Sequence, residues 1–305
     1  MLPCLLVAPG LWMAEESVGE AGSNHLGYYS GVFNHDGSAI LAHGFSGALH
    51  LWRRQPHEEG GGWAPAHALG GHFAPVVDAG WAVGGSCLLT VSLDQTARLN
   101  SRIEGGSWCE IARPQVHGHD FSCAAALPQA AAPGRTLYAS GSEEKVVRVF
   151  EGPRAFADTL ALAQGRAPPP SPAANGSTGG GWAVAPLGGM LPPLGLSNKA
   201  VYVEEEEEEE AAAEGDGEDG GLGGGEGGGI GGYNHGADLL PIAAPAVVAG
   251  PPLEEHLAQN TLWPEIHKLY GHGNEVYCMA AGAVYEGVRC VYVCVSGWAR
   301  HGGCH

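Results

Sequence analysis

Phe33-Asn34-His35-Asp36-Gly37-Ser38-Ala39-Ile40-Leu41, running on to Ala48-Leu49-His50-Leu51-Trp52, reads as a strand, a tight turn and two further strands. Displaced by 48 residues without a gap, the pattern meets itself: Trp81 falls on Phe33, Ser86 on Ser38, Leu88-Leu89 on Ile40-Leu41, and Leu99-Asn100 on Leu51-Trp52. A further displacement of 50 sets Ser140, Ser142, Glu144, Arg148 and Val149 on Thr90, Ser92, Asp94, Arg98 and Leu99. A period in the forties whose units are short strands marks a β-propeller. Propellers are docking platforms more often than catalysts, so function is to be sought first in partners.

Composition narrows what can fold. The chain has 305 residues, room for one or two domains. Glycine and proline crowd residues 166–252, where no core can form. The formal charge of −19 is concentrated: eleven carboxylates lie within 204–219, seven of them in the unbroken run 204–210. Such a run is a solvated, self-repelling tether. None of the eight cysteines forms a CxxC pair, and most sit in apolar strand-like runs where a thiol acts as a small hydrophobe. That usage suits a reducing compartment and no zinc site. The apolar opening Met1-Leu2-Pro3-Cys4-Leu5 lacks a basic leader, and no apolar run nears the ~20 residues that span a bilayer. A soluble, intracellular protein is expected.

Three units follow from the pattern. Strands are expected at 28–33, 39–43 and 48–52; at 76–81, 88–92 and 96–100; and at 122–127, 137–140 and 146–150. Residues 1–165 therefore hold about three blades, with a strand at 194–203 added to them. A Pro/Gly-rich loop covers 166–193 and an acidic, Gly-rich disordered linker 204–252. Residues 253–305 read as the start of a second propeller with a divergent end.

The repeated polar residues have a physical role. Gly71-His72 is followed at 22 residues by Asp94 and at 28 by the end of an Arg-Leu-Trp-like strand, and this resembles the WD40 repeat. A His at the blade's entry, a Ser or Thr on the second strand, an Asp in the turn and a Trp on the third strand can hydrogen-bond in series. Leaving one member unpaired costs ~1–3 kcal/mol. The second unit offers His72, Ser92 or Thr90, and Asp94, with Asn100 in place of the Trp. The third offers His119, Ser140 or Ser142, and Glu144, with Phe150 at the aromatic position. The first offers Trp52, and His272 opens a later unit. Histidines in such places are structural before they are catalytic, and no HExxH spacing occurs. The glycine tract 220–232 is not placed between a strand and a helix, so it is no phosphate loop.

Several segments go beyond the repeat: Ala42-His43-Gly44-Phe45-Ser46-Gly47-Ala48-Leu49-His50-Leu51-Trp52; Glu110-Ile111-Ala112-Arg113-Pro114-Gln115-Val116-His117-Gly118; 140–150 continuing into Pro153-Arg154-Ala155-Phe156; 194–201; and Gln259-Asn260-Thr261-Leu262-Trp263-Pro264-Glu265-Ile266-His267-Lys268-Leu269-Tyr270-Gly271-His272-Gly273. In this order they resemble the Elongator subunit 2 family. The resemblance implies tandem seven-bladed WD40 propellers. It also implies a scaffold for the large subunit and for the catalytic radical-SAM/acetyltransferase subunit, in an assembly that installs carboxymethyl-type groups on C5 of wobble uridine in tRNA. It places this chain in the later blades of the first propeller, the linker and the opening of the second, as a fragment or incomplete gene model that alone should be prone to aggregate. Cytoplasm and nucleus are the implied locations.

A non-catalytic scaffold is thus the expected role, with no cofactor, no metal and no membrane. Arg113, Lys145, Arg148 and Arg154, read as exposed, are the candidate partner contacts. The alternative is a WD40 adaptor of another complex, such as a substrate receptor for protein turnover. A net acidic chain without a basic stripe should meet tRNA only weakly or through the complex.

Overall fold

The computed structural model describes residues 4–8, 11–14, 16–18, 27–56, 61–128, 135–169, 188–190, 201–203, 247–248, 250–259, 261–282 and 292–295. A hairpin of β1 (Cys4–Ala8) and β2 (Leu11–Ala14), not foreseen from the sequence, comes first. Three antiparallel four-stranded sheets follow. The first is β3 (Tyr28–Phe33), β4 (Ala39–Gly44), β5 (Leu49–Arg54) and β6 (Trp63–Ala66). The second is β7 (Val76–Ala82), β8 (Cys87–Ser92), β9 (Thr96–Arg102) and β10 (Trp108–Val116). The third begins with β11 (Phe121–Ala126), β12 (Leu137–Ser142) and β13 (Val147–Glu151). After helix α1 (Arg154–Ala163), hairpin β14 (Gly188–Met190) with β15 (Val201–Val203), and helix α2 (Glu254–Gln259), the third sheet gains its last strand, β16 (Glu265–Leu269). A hairpin of β17 (Met279–Gly282) and β18 (Tyr292–Val295) ends the described chain. These meandering sheets are WD40-type blades, and the fold class is all-β.

Burial explains why β8 reads Cys-Leu-Leu-Thr-Val-Ser without polar alternation. Every one of its residues is buried, because both faces of the second sheet are covered. Leu88 packs with Leu41, Leu49, Leu51 and Val76 at the seam with the first sheet. Leu89 and Val91 pack with Ile111, Phe121, Tyr138 and Phe150 at the seam with the third. Successive residues thus point into successive cores. The turn Asn34-His35-Asp36-Gly37-Ser38 is self-bonded: Ala39 N donates to Asn34 Oδ1 at 2.8 Å and Ser38 N to Asp36 Oδ1 at 2.9 Å. Gly47, at φ 74°, must be glycine, since a Cβ there would stand 2.7 Å from the carbonyl oxygens of His72 and Ala74.

The structure differs from the sequence reading, or adds to it, in three places. First, residues 265–269, within the stretch expected to open a second propeller, join the third sheet. β16 pairs with β13, Val147 opposite Leu269 and Arg148 opposite Lys268. The edge of β13 needs a ladder partner, and the returning strand supplies it. Trp263 beside it is 2 % exposed, against Tyr138 and Phe156. Second, residues 154–163, to which the sequence reading gave no element, are helical, with Phe156, Leu160 and Ala163 turned into the shared core. Third, the outer faces of the first and third sheets are partly covered. Ile40, Ala42 and Trp52 are buried with Val18 and Trp63 packed against them, and Val276 fills the far face of the third sheet with Cys123, Ala139, Val147 and Val149. The acidic run 204–210, the glycine tract 220–232, most of the 166–193 loop, residues 194–200 and the end 296–305 lie outside the described residues.

Candidate functional site

The turn between β8 and β9 builds the polar centre of the second sheet. Gln95 takes a left-handed φ of 65°, which closes the turn and aims Asp94 back into the blade. Asp94 Oδ1 accepts from Thr96 N at 3.0 Å and Thr96 Oγ1 at 2.6 Å, and Oδ2 from Phe73 N at 3.3 Å. His72 Nδ1 lies 2.8 Å from Oδ2 and its Nε2 2.8 Å from Thr90 Oγ1. A carboxylate only accepts, so Nδ1 carries the hydrogen and the neutral ring accepts at Nε2. Burial pushes His72 below its ordinary value, with Asp94 opposing. Burial alone would raise Asp94, but the bonds from His72 and Thr96 outweigh it and hold the carboxyl at about 2.

A ladder of alternating charge runs outward from this centre. Arg98 Nη2 stands 3.6 Å from Asp94, and its Nη1 donates to Glu110 Oε2 at 3.0 Å. Arg113 donates to both oxygens of Glu110, at 3.0 and 3.2 Å, and grips both of Glu254 at 2.8 and 3.0 Å. Burial opposes the charge on Arg113, but these bonds outweigh it and raise its value further. Thr261 Oγ1 accepts from Arg113 N at 2.9 Å, and Trp263 N donates to Pro114 O at 2.9 Å. One strand, β10, therefore anchors the returning segment across 141 residues of chain.

A second cluster lines a cleft of about 590 Å³ between the end of β10 and strands β13 and β16. Arg148 binds Glu144 at 2.7 Å and Glu265 at 2.7 Å. His117 Nε2 stands 3.6 Å from Glu144, and His119 Nε2 3.9 Å. Gln115 Oε1 accepts from Ser140 at 2.9 Å and Tyr138 at 3.2 Å.

The sequence-chosen residues fall into place unequally. His72 and Asp94 meet, and Thr90 rather than Ser92 completes their relay. Ser92 instead accepts from Asp94 N at 3.1 Å and donates to Ala74 O at 3.0 Å. His119, Ser140 and Glu144 do not form a matching relay: His119 is exposed, and Gln115 of the neighbouring sheet has taken Ser140. Trp52 is buried beside Tyr28 and stacked on His50, while His272 is exposed. Of the four basic contact candidates only Lys145 is exposed. Arg113 is 7 % exposed inside its ion pairs, Arg148 is half-buried in its own, and Arg154 faces Asp158 at 3.6 Å. Thr96, Arg98, Glu110, Gln115 and Glu254 went unselected. Bulges in β10 at 110–112 and 112–115 set Glu110 and Arg113 on one side, which regular strand alternation would not.

Asp94, His72 and Thr90 stand in the order of a proton relay, but Thr90 is 0 % exposed, so no substrate reaches it. Burial pushes Cys87 up to about 11 and Cys123 to about 12, away from thiolate chemistry. Among the described residues no group of three His, Cys, Asp or Glu is placed to hold a metal. The network holds blades together.

The chain is similar to proteins named Elongator complex protein 2. The human one is 37% identical over 286 residues, 90% of this chain and 30% of that protein. That of Arabidopsis thaliana is 40% identical over 290 residues, 89% and 31%. That of Schizosaccharomyces pombe is 30% identical over 287 residues, 89% and 31%. The chain thus spans about 30% of the length of these curated relatives. No family model matches it.

Proposed function

The chain belongs to the family of Elongator complex protein 2, and on that premise we propose that it serves as a non-catalytic scaffold in an Elongator assembly. Its blades present rims and turns to the large subunit and to the catalytic radical-SAM/acetyltransferase subunit. The assembly places carboxymethyl-type groups on C5 of wobble uridine in tRNA, in cytoplasm and nucleus. The tRNA meets this chain weakly or through the complex. The observation that carries the reading is the match over about nine-tenths of the chain to Elongator complex protein 2 of animals, a plant and a fungus. The buried relay of His72, Asp94 and Thr90 supports a role in holding the second blade together rather than in chemistry.

The test is co-purification. A tagged copy of the chain should bring down the large and catalytic subunits, and cells lacking the locus should lose C5-carboxymethyl-type nucleosides from bulk tRNA by mass spectrometry. Failure to recover either subunit, with the nucleosides unchanged in cells lacking the locus, would refute the reading. Lys145, the exposed member of the four cations, is the contact candidate that remains from that set, and Lys145→Glu should weaken recovery of a subunit without lowering the amount of folded chain.

A further inference from the structure

A second cleft, of about 370 Å³, opens where the first and second sheets meet, on the side of the turns 34–38 and 83–86. Trp81 and Trp108 form its apolar wall, ring centroids 6.0 Å apart at 54°. The Trp81 N–H is committed to Phe33 O at 2.7 Å, which fixes that ring across the seam. Arg53 and Arg102 also line the cleft, and both are exposed. Arg102 donates its Nε to Gly106 O at 3.2 Å. Among the described residues, neither the guanidinium of Arg53 nor the terminal nitrogens of Arg102 meet an acceptor. Asp36, the one carboxylate of the lining, accepts from Ser38 N within its own turn. The cleft is therefore net positive on a chain whose formal charge is −19. Its lip is strained: Val83, β-branched, is held at φ 50°.

The geometry points to a docking cleft for a short, acidic, extended segment of a partner protein. One apolar side chain of that segment rests against Trp81 and Trp108, and flanking carboxylates pair with Arg53 and Arg102. Two guanidiniums beside an indole wall are the donor set that fits carboxylates around an apolar anchor. A nucleic acid would need a longer basic track than two arginines. The match acts at close range, because net charge is screened beyond about 8 Å at physiological salt. This goes beyond the scaffold reading and does not depend on which assembly the chain joins.

The probe is a fluorescein-labelled peptide of six glutamates around one leucine, titrated by anisotropy into the full chain purified from its own cells. Arg53→Glu combined with Arg102→Glu should weaken binding by about tenfold or more, since two charge-assisted pairs become repulsive. Arg54→Glu, exposed next door but outside the lining, should change it by less than about twofold. Exchanging the peptide's leucine for glycine should cost the native chain about tenfold. No binding of the probe at about 100 µM, well above a specific affinity, overturns the proposal. So does an Arg54→Glu effect equal to that of the double variant. Tighter probe binding on deletion of residues 204–210 also overturns it, by giving the cleft to the chain's own acidic run.

Discussion

Arg113→Ala should loosen the returning segment 253–269 from the second sheet, and the structure sets the size of the effect. Arg113 is 7 % exposed and holds two carboxylates whose surroundings differ. The Glu254 side chain is 74 % exposed, so it rehydrates when released, and that half of the interaction contributes ~0–1 kcal/mol. The Glu110 side chain is 14 % exposed and keeps Arg98 at 3.0 Å, so it loses one of two partners rather than both. Removing one partner of a fully buried pair costs about 3–5 kcal/mol, and the surviving Arg98 brings the Glu110 half to ~1–2 kcal/mol. Arg113→Ala should thus destabilise by about 1–3 kcal/mol, and Glu254→Ala by under ~1 kcal/mol. In a urea series read by pulse proteolysis, with a slope of ~2 kcal/mol per molar, the midpoint should fall by about 1 M for Arg113→Ala and under ~0.5 M for Glu254→Ala. Adding Glu254→Ala to Arg113→Ala should cost almost nothing more, because the partner has already gone. Equal midpoints for the two single variants would refute the reasoning, since the buried carboxylate would then contribute nothing.

Trp263→Ala empties a site that is 2 % exposed between Tyr138 and Phe156, and should cost ~3–5 kcal/mol in the same assay, whereas Trp263→Phe should recover more than half of that. Stability should decline as pH falls through about 6.5, because the buried ring of His72 takes its proton only below that value while the unfolded chain takes it there. His117, lowered for the same reason, acts in the same direction, so His72→Gln should flatten the pH 5–7 limb in part and not abolish it. Below about 3.8 a second decline belongs to Asp94, whose contribution is complete above the unfolded value and lost toward pH 2; Asp78, raised by burial, opposes it. With iodoacetamide at pH 8 the exposed Cys278 should alkylate in the native chain well before buried Cys87 and Cys123, and mass spectrometry of the peptides reads the order.

Local pattern carried much of the fold. All nine strands read from the three units lie within a residue or two of β3–β5, β7–β9 and β11–β13, because turn chemistry at Asp36-Gly37 and runs such as Leu88-Leu89 act over a few residues. The outer strands β6 and β10 were missed. Trp63-Ala64-Pro65-Ala66 alternates weakly, and β10 is broken by Pro114 and two bulges that only its partner strand dictates. Helix α1 was legible in the Phe156, Leu160, Ala163 spacing and went unread beside Pro153.

By itself the sequence determined that small sheets repeat with a common period and that His72 and Asp94 recur at WD40 positions, since these depend on contacts within one unit. Only the tertiary structure decided that residues 265–269 finish the third sheet, that Gln115 displaces His119 from Ser140, and that Arg113 and Arg148 are sealed in ion pairs. Those outcomes join residues up to 141 positions apart, and which distant group satisfies a buried donor is settled by packing rather than by neighbours in the chain.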